Sequence, residues 1–190
     1  MSYLPSSHDI ETIPGLPALY PRRGILLFKM LDGNKDSFLP QVKGMRELLI
    51  AFISALNKSE SCYKAYKCLS IQLGVDESVY SQLRIDINSA AVEEKLKPIF
   101  FFVKKLTLTP QQITQADIKP ILDAGWDEGT LLDSIYLCSV VNCMNRLAIG
   151  NGIDKAQTTN KQSFSNINPN GLMPLIDLAF NGNQPMRLTQ

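Results

Sequence analysis

Histidine is almost missing from this chain of 190 residues: His8 is the only one, and it stands in a leader rich in proline and serine. That scarcity takes away the commonest proton relay and the commonest metal ligand. A Ser-His-Asp triad would have to recruit His8, and no His/Cys cluster has ligand spacing, so neither a hydrolase triad nor a zinc site finds support. No GxxxxGK[ST] and no complete GxGxxG occurs, which leaves nucleotide binding without a motif. No cofactor is expected. An excess of one charge is lacking too: Lys+Arg 19 stand against Asp+Glu 18, for a net charge of +1. A balance so close to neutral leaves no electrostatic footprint for nucleic acid. Apolar runs of about 18 residues are absent, so no membrane span is expected. The opening "MSYLPSSHDIETIPGLP" has no basic stretch followed by an apolar one, so no signal peptide is expected and the expected location is cytoplasmic. Four cysteines are present (Cys62, Cys68, Cys138 and Cys143), without any CxxC pair, and a reducing compartment would keep them as thiols.

The patterns that are present are helical. Residues 1–23 hold four of the eleven prolines and read as an extended arm. "GILLFKML" (24–31) reads as a short apolar helix. In residues 41–57, Met45, Leu48, Leu49, Phe52 and Leu56 recur at helical spacing and define one face. Ala51 and Ser54 share a neighbouring face with Glu47, where small side chains admit a second helix. Residues 60–73 form another helix, with Cys62, Tyr66, Leu69 and Leu73 on one face and Gly74 as its stop. Asp76 is placed to cap a short third helix. Pro98 divides a fourth, within 90–108, or starts its second half. Thr114 and Asp117 make a capping box for a fifth, which Gly125 ends. Asp127 caps the longest helix, about 128–149, whose centre is apolar on most sides and therefore expected to be buried in a core or an interface. Residues 154–190 read as a polar linker followed by a short apolar segment, "GLMPLIDLAF". No stretch alternates as a strand would, so the expected fold is an all-α bundle, with residues 24–153 as its single domain.

One stretch poses a chemical question. "LNKSESCYKAYKCL" (56–69) puts Cys62 in the first turn of a helix, with Ser59 three residues before it and Tyr66 one turn after. Unpaired N–H groups at a helix start favour a thiolate. Ser59 is a suitable N-cap, and Lys58 and Lys64 add positive charge nearby. On these grounds Cys62 is expected to be the most reactive of the four thiols. Cys138 and Cys143, in the apolar middle of the long helix, are expected to be inert. Cys68 lies about 9 Å further along the same helix axis and points away, beyond the ~7 Å that a disulfide spans between Cα atoms. The spacing alone does not say whether Cys138 or Cys143 meets Cys62. Taken singly, a cysteine on an apolar helical face is most often a packing residue, and a lone tyrosine or glutamate there is most often structural.

The order of these pieces resembles a known family. "RELLIAFISALNKSESCYKAYKCLSIQLGVD" is similar to the signature "RELxxxxVSALNxCxxCxxxHxxxAxxLGVD" of the carboxymuconolactone decarboxylase and AhpD-like alkylhydroperoxidase family. The second half resembles it too, from "KPIFFFVKKLTLTPQQITQADIKPILDAGWDEG" to "NCMNRLAIGNGI". The likeness covers about residues 24–153 and is closest to the peroxidase-related branch. It implies an AhpD-like helical fold, assembly into trimers or hexamers, and an active site built from Glu, CxxC and His. Position by position, Glu47 matches the glutamate and Cys62 the second cysteine. Ser59 stands where the first cysteine would be, and Tyr66 where the histidine would be. The family's intrahelical disulfide cycle is therefore not available to Cys62.

The resemblance implies a thiol peroxidase-type oxidoreductase that reduces hydroperoxides with Cys62, assisted by Glu47, Tyr66 and Ser59 and regenerated by an external thiol. The other reading is an inactive member that keeps the pocket for binding a small molecule, for redox sensing or for assembly. Asn142, Asn145 and Arg146 match the family's "N..NR" and read as structural anchors, since buried amides need partners.

Overall fold

The computed structural model describes residues 44–152. The proline-rich arm, the helix expected at 24–31 and the segment 154–190 lie outside the described residues. Six α-helices follow one another: α1 (Met45–Leu56), α2 (Glu60–Gln72), α3 (Ser78–Ile85), α4 (Lys97–Leu108), α5 (Gln115–Asp123) and α6 (Glu128–Gly150). Three single 3₁₀ turns, Ile87–Ser89, Glu94–Leu96 and Pro110–Gln112, bend the chain between them. No strand occurs among the described residues, so the all-α expectation holds.

Local chemistry sets the helix ends. Pro98 sits in the first turn of α4, where its missing N–H costs nothing, so it begins the helix rather than breaking it. Asp76 Oδ1 accepts the Ser78 N–H at 2.7 Å, and Asp127 Oδ1 accepts the Thr130 N–H at 2.7 Å. The Thr114 and Asp117 capping box is formed at the start of α5. Gly74 (φ +101°) and Gly125 (φ +89°) end α2 and α5 in the left-handed conformation. Gly44 does more than turn: at φ +79°, a Cβ on it would lie 2.9 Å from Val75 Cγ2 and 3.2 Å from Leu73 Cβ. Only a hydrogen there lets the start of α1 touch the end of α2.

α1 is the axis of the bundle. Eight of the ten positions from Met45 to Ser54, all but Arg46 and Glu47, are buried. α2 packs along one side of α1, while α4 and α6 pack on others and on each other. Phe52 of α1 meets Phe100 of α4 edge to face at 5.2 Å. The close approach foreseen at Ser54 is made by α6: Ser54 Oγ donates to Asn145 Oδ1 at 3.3 Å, with both residues fully buried. Asn57 at the end of α1 donates to Asn142 Oδ1 at 3.1 Å, and Arg146 donates to the same oxygen at 2.7 Å. Asn142 and Asn145 thus tie α6 to α1, and Arg146 holds Asn142 from within α6.

Burial is uneven across the helices. The helix enclosed on every side is α1. The longer α6 buries Leu131, Leu137, Cys138, Val141 and Met144 but leaves Leu132, Tyr136, Cys143 and Leu147 exposed along one stripe. No helix among the described residues is long and apolar enough to cross a membrane.

Candidate active site

The turn from α1 to α2 is three residues long. Asn57 closes α1, Lys58 adopts φ +59°, the one positive φ among described residues other than glycine, and Ser59 opens α2. Ser59 N–H donates to the Ser54 carbonyl at 2.9 Å, and the Ser59 carbonyl receives the Tyr63 N–H at 2.9 Å. The two helices therefore fold back tightly, and α2 lays Cys62 and Tyr66 against the first turn of α1.

Cys62 is the third residue of α2 and 3 % exposed. Tyr66, one turn on, is 7 % exposed. From α1, Arg46 and Glu47 reach the same place as an ion pair of 3.3 Å, with side chains 11 % and 13 % exposed. The phenol of Tyr66 registers all three neighbours. Burial raises its pKa well above the ordinary value; the Arg46 guanidinium pulls it down, and Cys62 and Glu47 push it up. Tyr80 is also raised, first by burial, then by Tyr63 and Glu47. It closes the far side of the cluster with a hydrogen bond to Ser70 Oγ. Glu47 therefore lies within electrostatic reach of both tyrosines, and Tyr66 within reach of both Glu47 and Cys62.

Glu47, Cys62 and Tyr66 come together as the sequence pattern proposed. Ser59 is adjacent, fully buried at the N-cap position, but its side chain makes no capping hydrogen bond to the helix. The two lysines play a smaller part than expected. Lys58 is exposed, and Lys64 pairs with Glu60 at 3.8 Å on the outer surface. The cation beside the site is Arg46. Its sequence signal was faint, because an arginine directly before a glutamate reads as alternating surface charge.

The other cysteines are elsewhere in the fold. Cys138 is buried among Thr107 Oγ1 (3.3 Å) and Asn142 Nδ2 (3.4 Å), and burial pushes its pKa up. Cys143, expected to be buried and inert, is exposed. It lies on the outer stripe of α6, because seven residues before the end of a 23-residue helix the core-facing side is taken by Val141, Met144 and Asn145. Cys68 is half-buried beside Gln72. α2 packs chiefly on α1, while α6 packs on α1 and α4. No group of three or more potential metal ligands occurs among the described residues.

Chemically, the cluster pairs a buried sulfur with a guanidinium, a carboxylate and a phenol that stays protonated. The phenol donates a hydrogen bond and does not act as a base near neutral pH. The carboxylate is the group able to accept a proton, and the guanidinium the group able to offset a thiolate.

No protein-family model and no curated protein matches this chain. Solved structures do. One is the alkylhydroperoxidase AhpD core of an uncharacterized peroxidase-related protein from Ralstonia eutropha JMP134, 20 % identical, covering 79 % of this chain and 76 % of that one at a TM-score of 0.68. Another is an uncharacterized peroxidase-related protein from Silicibacter sp. TM1040, 18 % identical, covering 81 % and 78 % at a TM-score of 0.69. The chain has the AhpD-like helical fold. The resemblance seen in its sequence and the likeness of its backbone agree on that class.

Proposed function

We propose that the protein is a thiol peroxidase-type oxidoreductase that works with one cysteine, Cys62, and reduces hydroperoxides in a reducing compartment such as the cytoplasm. The observation that supports this most directly is the gathering of Arg46, Glu47 and Tyr66 around Cys62 in the first turn of α2. Glu47 takes the thiol proton, and Arg46 with the helix N-terminus holds the thiolate. The sulfur attacks the outer oxygen of ROOH: an S–O bond forms, the O–O bond breaks, and the leaving alkoxide takes the proton back from Glu47 as ROH. Tyr66 donates a hydrogen bond to the oxygen that gains charge. Cys62 is then a sulfenic acid. A small external thiol condenses with it and releases water; a second external thiol attacks that mixed disulfide, restores the Cys62 thiol and leaves as the oxidised disulfide.

This cycle differs from the family's CxxC chemistry in needing no second cysteine of the chain. The test is sulfenic-acid trapping with dimedone after a brief hydrogen peroxide pulse, read by mass spectrometry of the peptide that contains Cys62. The expected result is an adduct at Cys62 that Glu47→Gln reduces by about tenfold or more. An unmodified Cys62 beside modified Cys143 would sink the proposal and favour the reading of an inactive binding or assembly protein.

A further inference from the structure

On the side of α4 turned away from α1 and α6 lies a second concavity. Phe100, Val103 and Thr107 of α4 face the core. Phe101, Lys104 and Leu108 of the same helix face a cleft of about 680 Å³, whose opposite wall is Ala116 and Pro120 of α5. None of its lining residues belongs to α1 or α2. Its floor is apolar and wet: Phe101 is 42 % exposed and Leu108 51 % exposed. A side chain as large as phenylalanine left half in water inside a concave wall forgoes much of its burial free energy.

The charges around the floor are arranged unequally. At one end Lys97 donates to the Asn88 carbonyl at 2.6 Å and is paired with Glu94. At the other, Lys105 is paired with both oxygens of Asp117, at 2.6 and 2.8 Å. Each acid of the cleft is thereby matched by one cation. Lys104 is left over: exposed, between Phe101 and Leu108 in the helix, and without an acid of its own. The site offers one apolar slot and one uncompensated positive charge.

From this we infer that the cleft between α4 and α5 binds a small amphipathic monocarboxylate, its aromatic or alkyl tail on Phe101 and Leu108 and its carboxylate on Lys104. The volume suits a ligand of that size, since such pockets run from about 300 to 1,000 Å³. The inference is independent of the chemistry at Cys62. Trp126, the single tryptophan of the chain, borders the same region: its Nε1–H donates to the Lys95 carbonyl at 2.6 Å, next to Glu94.

The test titrates the full chain with 3-phenylpropionate, followed by calorimetry and by Trp126 emission, with neutral 3-phenylpropanol as the comparison. Saturable binding at about 1 mM or tighter is expected, weaker for the alcohol. Lys104→Glu should weaken the carboxylate by about fivefold or more and leave the alcohol nearly unchanged. Phe101→Ser should abolish both, and Cys62→Ser should change neither. If Phe101→Ser does not fold, the exposed Lys104→Glu still decides the matter. No saturable binding to the wild-type chain, or binding that Lys104→Glu leaves intact, overturns the inference. So does loss of binding in Cys62→Ser, which would move the ligand to the other site. A drop in molecular mass with Phe101→Ser would also overturn it, because a second copy would then fill the cleft.

Discussion

Exposure, rather than position in the sequence, sorts the four thiols. Cys143 is exposed, Cys68 half-buried, and Cys62 and Cys138 buried. A bulky maleimide should label Cys143 first and Cys138 last, with burial also raising the Cys138 pKa and keeping it protonated. Hydrogen peroxide is small and should reverse the order in favour of Cys62, whose neighbours are polar. Quantitative peptide mapping after each reagent reads both orders; the same ranking with both would mean that Cys62 has no special chemistry. Sequence pattern was a good guide to which residues gather and a poor one to which face water. Glu47, Cys62 and Tyr66 share helical faces whose pairing follows from a three-residue turn, so their meeting was legible. Arg46 was not. Adjacent positions on a helix point about 100° apart, and nothing in "RELLI" says that both charged heads bend to one pocket. Ser59 was assigned by type as a cap, whereas its hydroxyl does not cap the helix it opens.

Helix limits were legible wherever a cap or a proline has a specific job: Asp76, Pro98, the Thr114–Asp117 box, Gly125 and Asp127 all sit where their chemistry required. The assignment of interior and exterior helices was less so. A 23-residue helix of mixed small and apolar residues gives no clear amphipathic stripe, and the enclosed helix proved to be the shorter α1. The contact that seats α1 is testable. Gly44→Ala meets two penalties, a side chain at φ +79° and a Cβ 2.9 Å from Val75 Cγ2. Gly74→Ala meets only the first, since φ is +101° and nothing lies within 4 Å. The Gly74 variant should lose about 1–2 kcal/mol, and the Gly44 variant about 1–3 kcal/mol more. Thermal or urea unfolding of the two variants reads the difference; equal losses would mean that α1 and α2 are not in contact at Gly44.

For the molecule as a whole, the uncharged stripe on α6 calls for a partner surface. Leu132, Tyr136, Ser139, Cys143 and Leu147 fall on one side of the helix over four turns, and Leu132 is 65 % exposed. A second copy of the chain is proposed to cover it, in line with the oligomer that the family resemblance implies. Sedimentation of the full chain at micromolar concentration should give a species larger than the protomer, and Leu132→Glu with Tyr136→Glu should shift it toward the protomer. A wild-type monomer would refute this. The groups around the sulfur depend on none of that assembly. Arg46, Glu47, Cys62 and Tyr66 all belong to one helical hairpin, α1 with α2, closed by the turn at Lys58. Loops this short close in about 10–100 ns. Substitutions in the later helices α4 and α6 should then change how deeply Cys62 is shielded while leaving the residues that surround it in place.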